Sequence, residues 1–261
     1  MKGYKIPIFQ KGSLLTQEML DAMKWYLLDT SAARFSDYTN GILSGMQVKV
    51  SDGILTVGKG LIKYKDTLIV VSEETTVPVA ESNTLQVLKL SLSDKEIGTE
   101  FETIDIDIVV DNNAEKKESE LEICRMRVQN GAKLRSDYRN FEDMNTEYDT
   151  IQFLHADWSA CKSKGIHPEI LERFAREARE SRKKEAADIC FLQQIYGMNF
   201  GTCRRDCITF YLEEKLGTRQ EEYTNQEIYD GLQKVLKQLK SGAAARRQVR
   251  ETRELRTMLV D

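Results

Sequence analysis

The spacing of apolar residues changes once along this 261-residue chain. Up to about residue 145 apolar and polar positions mostly alternate, the period of a half-buried strand. Beyond it apolar positions return every three or four residues, the period of a helix with one buried stripe. The alternation is cleanest in "TIDIDIVV" (103–110), where Ile104, Ile106 and Ile108 point one way and Asp105 and Asp107 the other. "TLQVLKLSL" (84–92) and "ELEICRMRV" (120–128) follow the same rule less strictly. Upstream, "GMQVKVSDGILTVGKGLIKYKDTLIVV" reads as short strands punctuated by Ser51-Asp52-Gly53, Gly58-Lys59-Gly60 and Lys65-Asp66, a spacing that predicts a meander. The polar "VDNNAEKKESE" between two later strands is expected to project into solvent. One helix precedes the strands: Thr16 caps "QEMLDAMKWYLLD", with Met19, Leu20, Met23, Tyr26 and Leu27 on one face.

In the second half, Pro168 at the first helical position, after His167, opens a long helix "PEILERFAREARESRKKEAADICFLQQIYG". Ile170, Leu171, Phe174, Ala178, Ile189 and Leu192 are its expected buried side, and the charge from Glu172 to Glu185 its solvated face. A second helix, "TCRRDCITFYLEEKLG", is capped by Thr202 and ended by Gly217, with Cys203 and Cys207 one turn apart on the stripe of Ile208, Tyr211, Leu212 and Leu216. Thr224 and Glu227 form a capping box for a third, with Ile228, Leu232, Val235, Leu236 and Leu239 as its stripe and Gly242 as its close. The fold class is therefore α+β. An N-terminal helix plus antiparallel β-domain is expected over 1–145, a helical domain forming a bundle over 146–242, and an arginine-rich helical C-terminal arm over 243–261.

Charge and composition narrow the chemistry. The net charge of −4 argues against wholesale nucleic-acid affinity, and no apolar run reaches the roughly 20 residues that span a bilayer. The opening "MKGYKIPIFQKGSLL" has no continuous apolar segment, so no secretion signal is expected and the chain is read as cytoplasmic when synthesised. Five cysteines, an odd number, favour reduced thiols. Cys203 and Cys207 read as small core residues, since no standard zinc spacing links them to Cys161, Cys190, His155 or His167.

"GILTVGKG" (53–60) carries most of a phosphate-binding P-loop, with Gly53, Gly58 and Lys59 in place but Gly60 where a magnesium-holding hydroxyl belongs. The aliphatic residues between the glycines suit a strand, and the segment that follows is another β-rich run rather than a helix. The glycines read as turn glycines. His155, in "FLHADW", is expected to be a satisfied structural histidine and His167 a helix cap. Asp105 and Asp107 are expected to face solvent. No nucleophile elbow, zincin motif or Cys/His dyad signature is present, so no catalytic residue, cofactor or metal is expected.

The run "GILSGMQVKVSDGILTVGKGLIKYKDTLIVVSEE" resembles the β-module near the start of many phage tail, baseplate and fibre-associated proteins, and of contractile phage-tail-like particles. The matching residues are Gly45, Met46, Val48, Val57, Gly60 and Leu68. "ELEICRMRVQNGAKLRSDYRNF" is similar to the closing part of those modules, with Leu134 and Arg135 at its Leu-Arg step. The resemblance covers roughly residues 40 to 140. It implies a structural subunit of a phage or prophage tail or phage-tail-like particle, at the baseplate, with no catalytic residues. It also implies other tail or baseplate subunits as partners, in several copies per particle. Apolar residues near the start (Tyr4, Ile6, Ile8 and Phe9) and the C-terminal arm (Arg250, Arg253, Leu255, Leu259 and Val260) are the candidate partner-interface residues. Two alternatives stand beside this: a nucleotide-dependent enzyme using the degenerate P-loop, and a cytoplasmic binding module using the arginine-rich arm. In that arm Glu251, Glu254 and Asp261 are interleaved with the arginines, which suits protein contacts better than a phosphate backbone.

Overall fold

The computed structural model describes residues 5–198 and 202–257, with the backbone alone for 242–257. The architecture is α+β: one helix, then antiparallel sheets, then helices. Helix α1 spans Gln17–Arg34, and Thr16 caps it as expected, its Oγ1 accepting from the Met19 N–H at 3.3 Å. The strands of the first half are β1 (Gly41–Gly45), β2 (Val48–Ser51), β3 (Ile54–Val57), β4 (Gly60–Tyr64), β5 (Thr67–Val71), β6 (Thr75–Pro78), β7 (Gln86–Leu92), β8 (Glu96–Ile97), β9 (Glu102–Thr103), β10 (Ile106–Asp111) and β11 (Glu120–Met126). A short hairpin, β12 (Ser159–Ala160) and β13 (Ser163–Lys164), precedes the helices.

The strands between residues 41 and 78 are not a simple meander. They sort into two three-stranded sheets, β1-β4-β5 and β2-β3-β6, so Gly58-Lys59-Gly60 carries the chain from one sheet to the other. The cause is a glycine-permitted close approach where β1 ends. Gly45 has φ +74°, and a Cβ there would run into the Lys59 carbonyl oxygen. A Cβ on Gly60 would lie 2.6 Å from Met46 Cγ. Met46, itself at φ +52°, is thereby turned inward and is almost fully buried. Gly45, Met46 and Gly60, matched to the tail-protein β-module, thus form one packing unit. Of the other matched residues, Val48 and Val57 face each other across β2 and β3 and both are buried.

The third sheet, β10-β7-β11, has β7 at its centre, buried on both faces. Ile104, Ile106 and Ile108 are half-buried while Asp105 and Asp107 face solvent, as the alternation predicts. Lys89 of β7 is fully buried, with Nζ donating to Asp111 Oδ2 (2.7 Å) and the Glu115 carbonyl (2.5 Å) and lying 3.4 Å from Glu120. The 112–119 connection is largely exposed as expected, yet Lys89 holds it from below and Lys116 reaches Asp157 at 2.5 Å. Leu134 is buried, and Arg135 forks onto Asp143 at 2.5 and 2.7 Å, holding that carboxyl well below the usual carboxylate range.

Four helices follow: α2 (Pro168–Glu180), α3 (Ala186–Tyr196), α4 (Arg205–Leu216) and α5 (Asn225–Thr257). The predicted long helix from Pro168 is two. Ser181 leaves the helical conformation and donates from Oγ to the Leu239 carbonyl at 2.9 Å, and a Glu185–Asp188 capping box restarts the chain as α3. The break turns α3, so Ile189 is exposed rather than buried while Leu192 stays inside. The next helix starts at Arg205, not after Thr202. Cys203 is therefore buried just ahead of it, off the helical stripe, and only Cys207 lies on it, half-buried. Gly217, at φ +67°, ends α4 as its spacing predicts. The Thr224–Glu227 box opens α5, but Gly242 does not close that helix, which runs on to Thr257.

Helix α2 packs on α3 and α5, and α4 packs on the same two, which closes a four-helix bundle. Phe174 is its hub, edge-on to Phe141, Phe191 and Tyr211 with ring centroids 5.9 to 6.1 Å apart. Phe141, from the loop before the bundle, also stacks on Tyr229 of α5 at 4.6 Å. The buried apolar set is continuous from the sheets into the bundle.

Candidate functional site

Exposed apolar side chains are concentrated along residues 5–34. Ile6 and Ile8 are each 75 % exposed and Phe9 59 %, as their sequence context predicts, while Tyr4 lies outside the described residues. Leu14 and Leu15 extend the surface to α1, where the expected inward face is absent. Leu20, Met23, Tyr26 and Leu27 are all exposed, Met19 is half-buried, and no residue of α1 is buried. Trp25 and Leu28, on other sides of the helix, are exposed as well. An apolar residue on every side was the available signal in the sequence: a helix of that kind needs enclosure, not one groove.

What fixes α1 is its C-terminal end. The Lys63 ammonium, buried on β4, donates to the carbonyls of Phe35 (2.6 Å), Ser36 (3.1 Å) and Tyr38 (2.7 Å). A cation at a helix C-terminus satisfies carbonyls that have no partner inside the helix and complements the macrodipole. At the other end Lys5 of the extended segment pairs with Glu18 in the first turn of α1 at 2.7 Å. Between them α1 lies along the edge strand β5, where Val70 is exposed. It also passes the β8–β9 hairpin, whose Ile97 and Phe101 are exposed. There Lys95 chiefly, and Lys24 of α1 to a lesser degree, lower the Glu102 pKa.

Of the C-terminal interface candidates, Arg250, Arg253 and Leu255 lie on the backbone of α5, and Leu259 and Val260 lie outside the described residues. The P-loop-like segment is spread over β3, a turn and β4. Its backbone is committed to strand pairing, Val57 opposite Val48 and Ile54 opposite Pro78, and Lys59 is exposed. The nest of backbone N–H groups that cradles a phosphate is not formed there.

A cleft of about 1330 Å³ lies between the 155–165 region and the start of α4 and α5. His155 lines it and is exposed, contrary to the expectation of a packed structural histidine, because it sits at the tip of a turn while its neighbours Leu154 and Ala156 point inward. Two of the charged groups of this cleft are held by partners within the chain. Asp157 accepts from Lys116 (2.5 Å) and from the Glu122 N–H (2.8 Å). Arg205 donates to the carbonyls of Tyr223 (2.6 Å) and Lys164 (3.2 Å). The arrangement ties the β-portion to the bundle. His167 caps α2 as expected, Nδ1 accepting from the Glu169 N–H at 3.3 Å, and burial against Phe153 and Trp158 pushes its pKa down to about 3. Among the described residues no group of three or more His, Cys, Asp or Glu side chains is placed to hold a metal ion, and no helix is long and apolar enough to cross a membrane.

No family model and no curated protein matches the chain. Among solved structures it is similar to a chain of the type VI secretion system TssK–TssF–TssG baseplate subcomplex, at 10 % identity and a TM-score of 0.40 over 91 % of this chain and 99 % of that one. It is also similar to the crystal structure of TssK, at 8 % identity and a TM-score of 0.38 over 92 % of this chain and 70 % of that one.

Proposed function

We propose that this chain is a structural subunit of a phage tail or phage-tail-like particle, placed at the baseplate and working by binding other subunits. The observation that carries the assembly role is the apolar surface of residues 5–34. Soluble monomers rarely expose contiguous apolar patches above a few hundred Å², and larger ones mark interaction sites. The tail assignment draws on the β-module pattern, whose Gly45, Met46 and Gly60 pack as one unit. The sequence division into a β-portion, a helical portion and the 243–261 arm belongs to the same proposal, with the arm as a second contact.

The test is incorporation. With the chain expressed among the genes that flank its own, pelleted particles are expected to contain it at fixed stoichiometry, and deletion of residues 1–10 is expected to leave it folded in the soluble fraction. Particles that assemble and act normally without the chain would remove the structural reading.

A further inference from the structure

Strand β2 presents free backbone groups and inward apolar side chains at the same two residues. Asp52 and Gly53, at φ +49° and +76°, make a two-residue turn into β3, which sets Ser51 and Ile54 as a hydrogen-bonded pair. The Gln47 carbonyl accepts from the Gly58 N–H at 2.9 Å, so residues 47, 49 and 51 bond toward β3. The N–H and C=O groups of Val48 and Val50 therefore point away from β3, and among the described residues nothing pairs with them. Their side chains face inward, Val48 buried and Val50 half-buried. The other outer strands of the three-stranded sheets each meet an element. β1 is bridged to Trp158 and β11 to Gln152, α1 lies along β5, and β6 lies against β10. Beside β2 there is instead a cleft of about 600 Å³, lined by Val48, Phe153, Trp158, His167 and Pro168 among others. No residue of β3 lines it, which puts it on the open side of β2.

The chain also carries a segment of matching parity. Residues 5–10 belong to no helix or strand, and among the described residues Ile6 and Ile8 make no backbone hydrogen bond. We propose that residues 5–10 of one copy add to the open edge of β2 in another copy as an antiparallel strand, with Ile8 opposite Val48 and Ile6 opposite Val50. The inference rests on reading the N-terminal segment as an assembly contact and goes further by naming what it enters.

Pro7 sets the parity. It has no N–H, so an added strand accommodates it only with its nitrogen turned outward, which leaves Ile6 and Ile8 to bond to β2. Residues that face each other across a ladder share a face of the sheet. Ile6 and Ile8, each 75 % exposed in the single chain, thus pass to the inward side with Val48 and Val50, toward the apolar wall of the cleft. Charge fixes the register. With these pairs, Lys5 falls opposite Ser51 beside Asp52, and Pro7 opposite Lys49. A slip of two residues would set Lys5 opposite Lys49, like charge against like. In the single chain Lys5 is paired with Glu18, but both side chains are largely exposed, so water screens the pair and little is lost when it opens. Pro7 then lies on the new outer edge, where its missing N–H discourages a further strand from adding.

The full chain is to be followed by light scattering over a dilution series and by amide exchange, with circular dichroism as the check on folding. The wild type is expected to self-associate at micromolar concentration. The amides of Ile6, Ile8, Val48 and Val50 are expected to slow about tenfold or more between the dilute and the concentrated sample. Two variants read the parity, and both lie outside every helix and strand. Ile8→Pro removes an N–H that bonds to β2 and is expected to weaken association at least about 10-fold. Phe9→Pro removes one that faces outward and is expected to change it by less than about threefold. A wild type that stays monomeric at every concentration overturns the proposal. So does association that ignores Ile8→Pro, or that leaves Val48 and Val50 unprotected. A chain that enters particles with those two amides still exchanging fast sinks the strand exchange and spares the assembly role. A chain that exchanges strands yet never enters particles does the reverse.

Discussion

Helix α1 has 18 residues and buries none of them, whereas α2 has 13 and buries Ile170, Leu171, Phe174, Ala175 and Ala178. Both begin at an oxygen- or nitrogen-bearing cap and both are rich in apolar residues. They differ in how those residues are arranged around the axis. In α2 the apolar residues fall on one stripe and the charged ones opposite, so a single neighbouring surface satisfies the helix. In α1 they fall on all sides, so the fold of one chain cannot enclose it. Apolar content alone therefore does not place a helix in the core. Its angular distribution decides whether the partner is intramolecular.

The largest effect that would sharpen this contrast is a truncation in each helix. Phe174→Ala removes the aromatic hub of the bundle and is expected to cost about 3–5 kcal/mol of unfolding free energy. Leu27→Ala, measured at a dilution where the chain is monomeric, is expected to change it by no more than about 0.5 kcal/mol, because Leu27 is already 65 % exposed. Urea titrations of the two variants decide it. A cost for Leu27→Ala above about 2 kcal/mol would mean that α1 is packed within the monomer after all.

The caps differ in their response to acid. His167 has an ordinary pKa of 6.5, and burial pushes it down to about 3 in the fold. Between those values the unfolded chain binds the extra proton, so the contribution is fully present above pH 6.5 and is lost as pH falls toward 3. At about 1.4 kcal/mol per pKa unit the full loss is on the order of 5 kcal/mol. His167→Asn replaces the Nδ1 acceptor with an amide oxygen that also caps and is expected to flatten the acid side of the stability curve relative to wild type. Thr16, the cap of α1, does not titrate, and Thr16→Ala is expected to give a loss of about 1 kcal/mol in helix α1 that is independent of pH. Acid curves of wild type and His167→Asn that run parallel would deny His167 this role.

Lys63 tests the end of α1 that is fixed. Lys63→Met leaves the carbonyls of Phe35, Ser36 and Tyr38 without their common donor and is expected to cost about 2 kcal/mol. Amide exchange in α1 should accelerate while α2 to α4 keep their protection. Unchanged exchange in α1 would show that β5 alone holds it.

Much of this was legible in the residues, and what was not has a physical cause. The Thr16 cap, the His167–Pro168 start, the Thr224–Glu227 box and the Ile104–Ile108 alternation are local signals, and each element formed where its signal lies. Strand pairing is not local. Nothing in the spacing of 41–78 reveals that β3 and β4 part into different sheets, because the Gly45–Gly60 contact that parts them joins residues far apart in sequence. The break at Ser181 hides in residues that favour helix, although the Glu185–Asp188 box that restarts the chain was readable. The exposure of Ile6, Ile8 and Phe9 was legible because an apolar run without period has no core to join. The outward side of α1 was not, because its residues were read as one stripe and Trp25 and Leu28 were left out of the wheel.

The smallest expected effect concerns Lys59, the lysine of the P-loop-like segment and a neighbour to both parted sheets. Its side chain is exposed, while its backbone carbonyl accepts from the Met46 N–H at 2.8 Å. Any side chain at this position preserves that bond, so Lys59→Ala removes a solvated charge and is expected to shift stability by less than about 0.5 kcal/mol. Gly60, next to it, is different. Gly60→Ala would drive a Cβ to 2.6 Å from Met46 Cγ and 2.7 Å from the Ser44 carbonyl oxygen, and it should cost several-fold more than Lys59→Ala. Calorimetric titration of the wild type with ATP and magnesium is expected to be flat. A measurable heat that disappears in Lys59→Ala would establish a phosphate site on the turn between the two sheets, and the glycines would then serve a ligand as well as a packing contact.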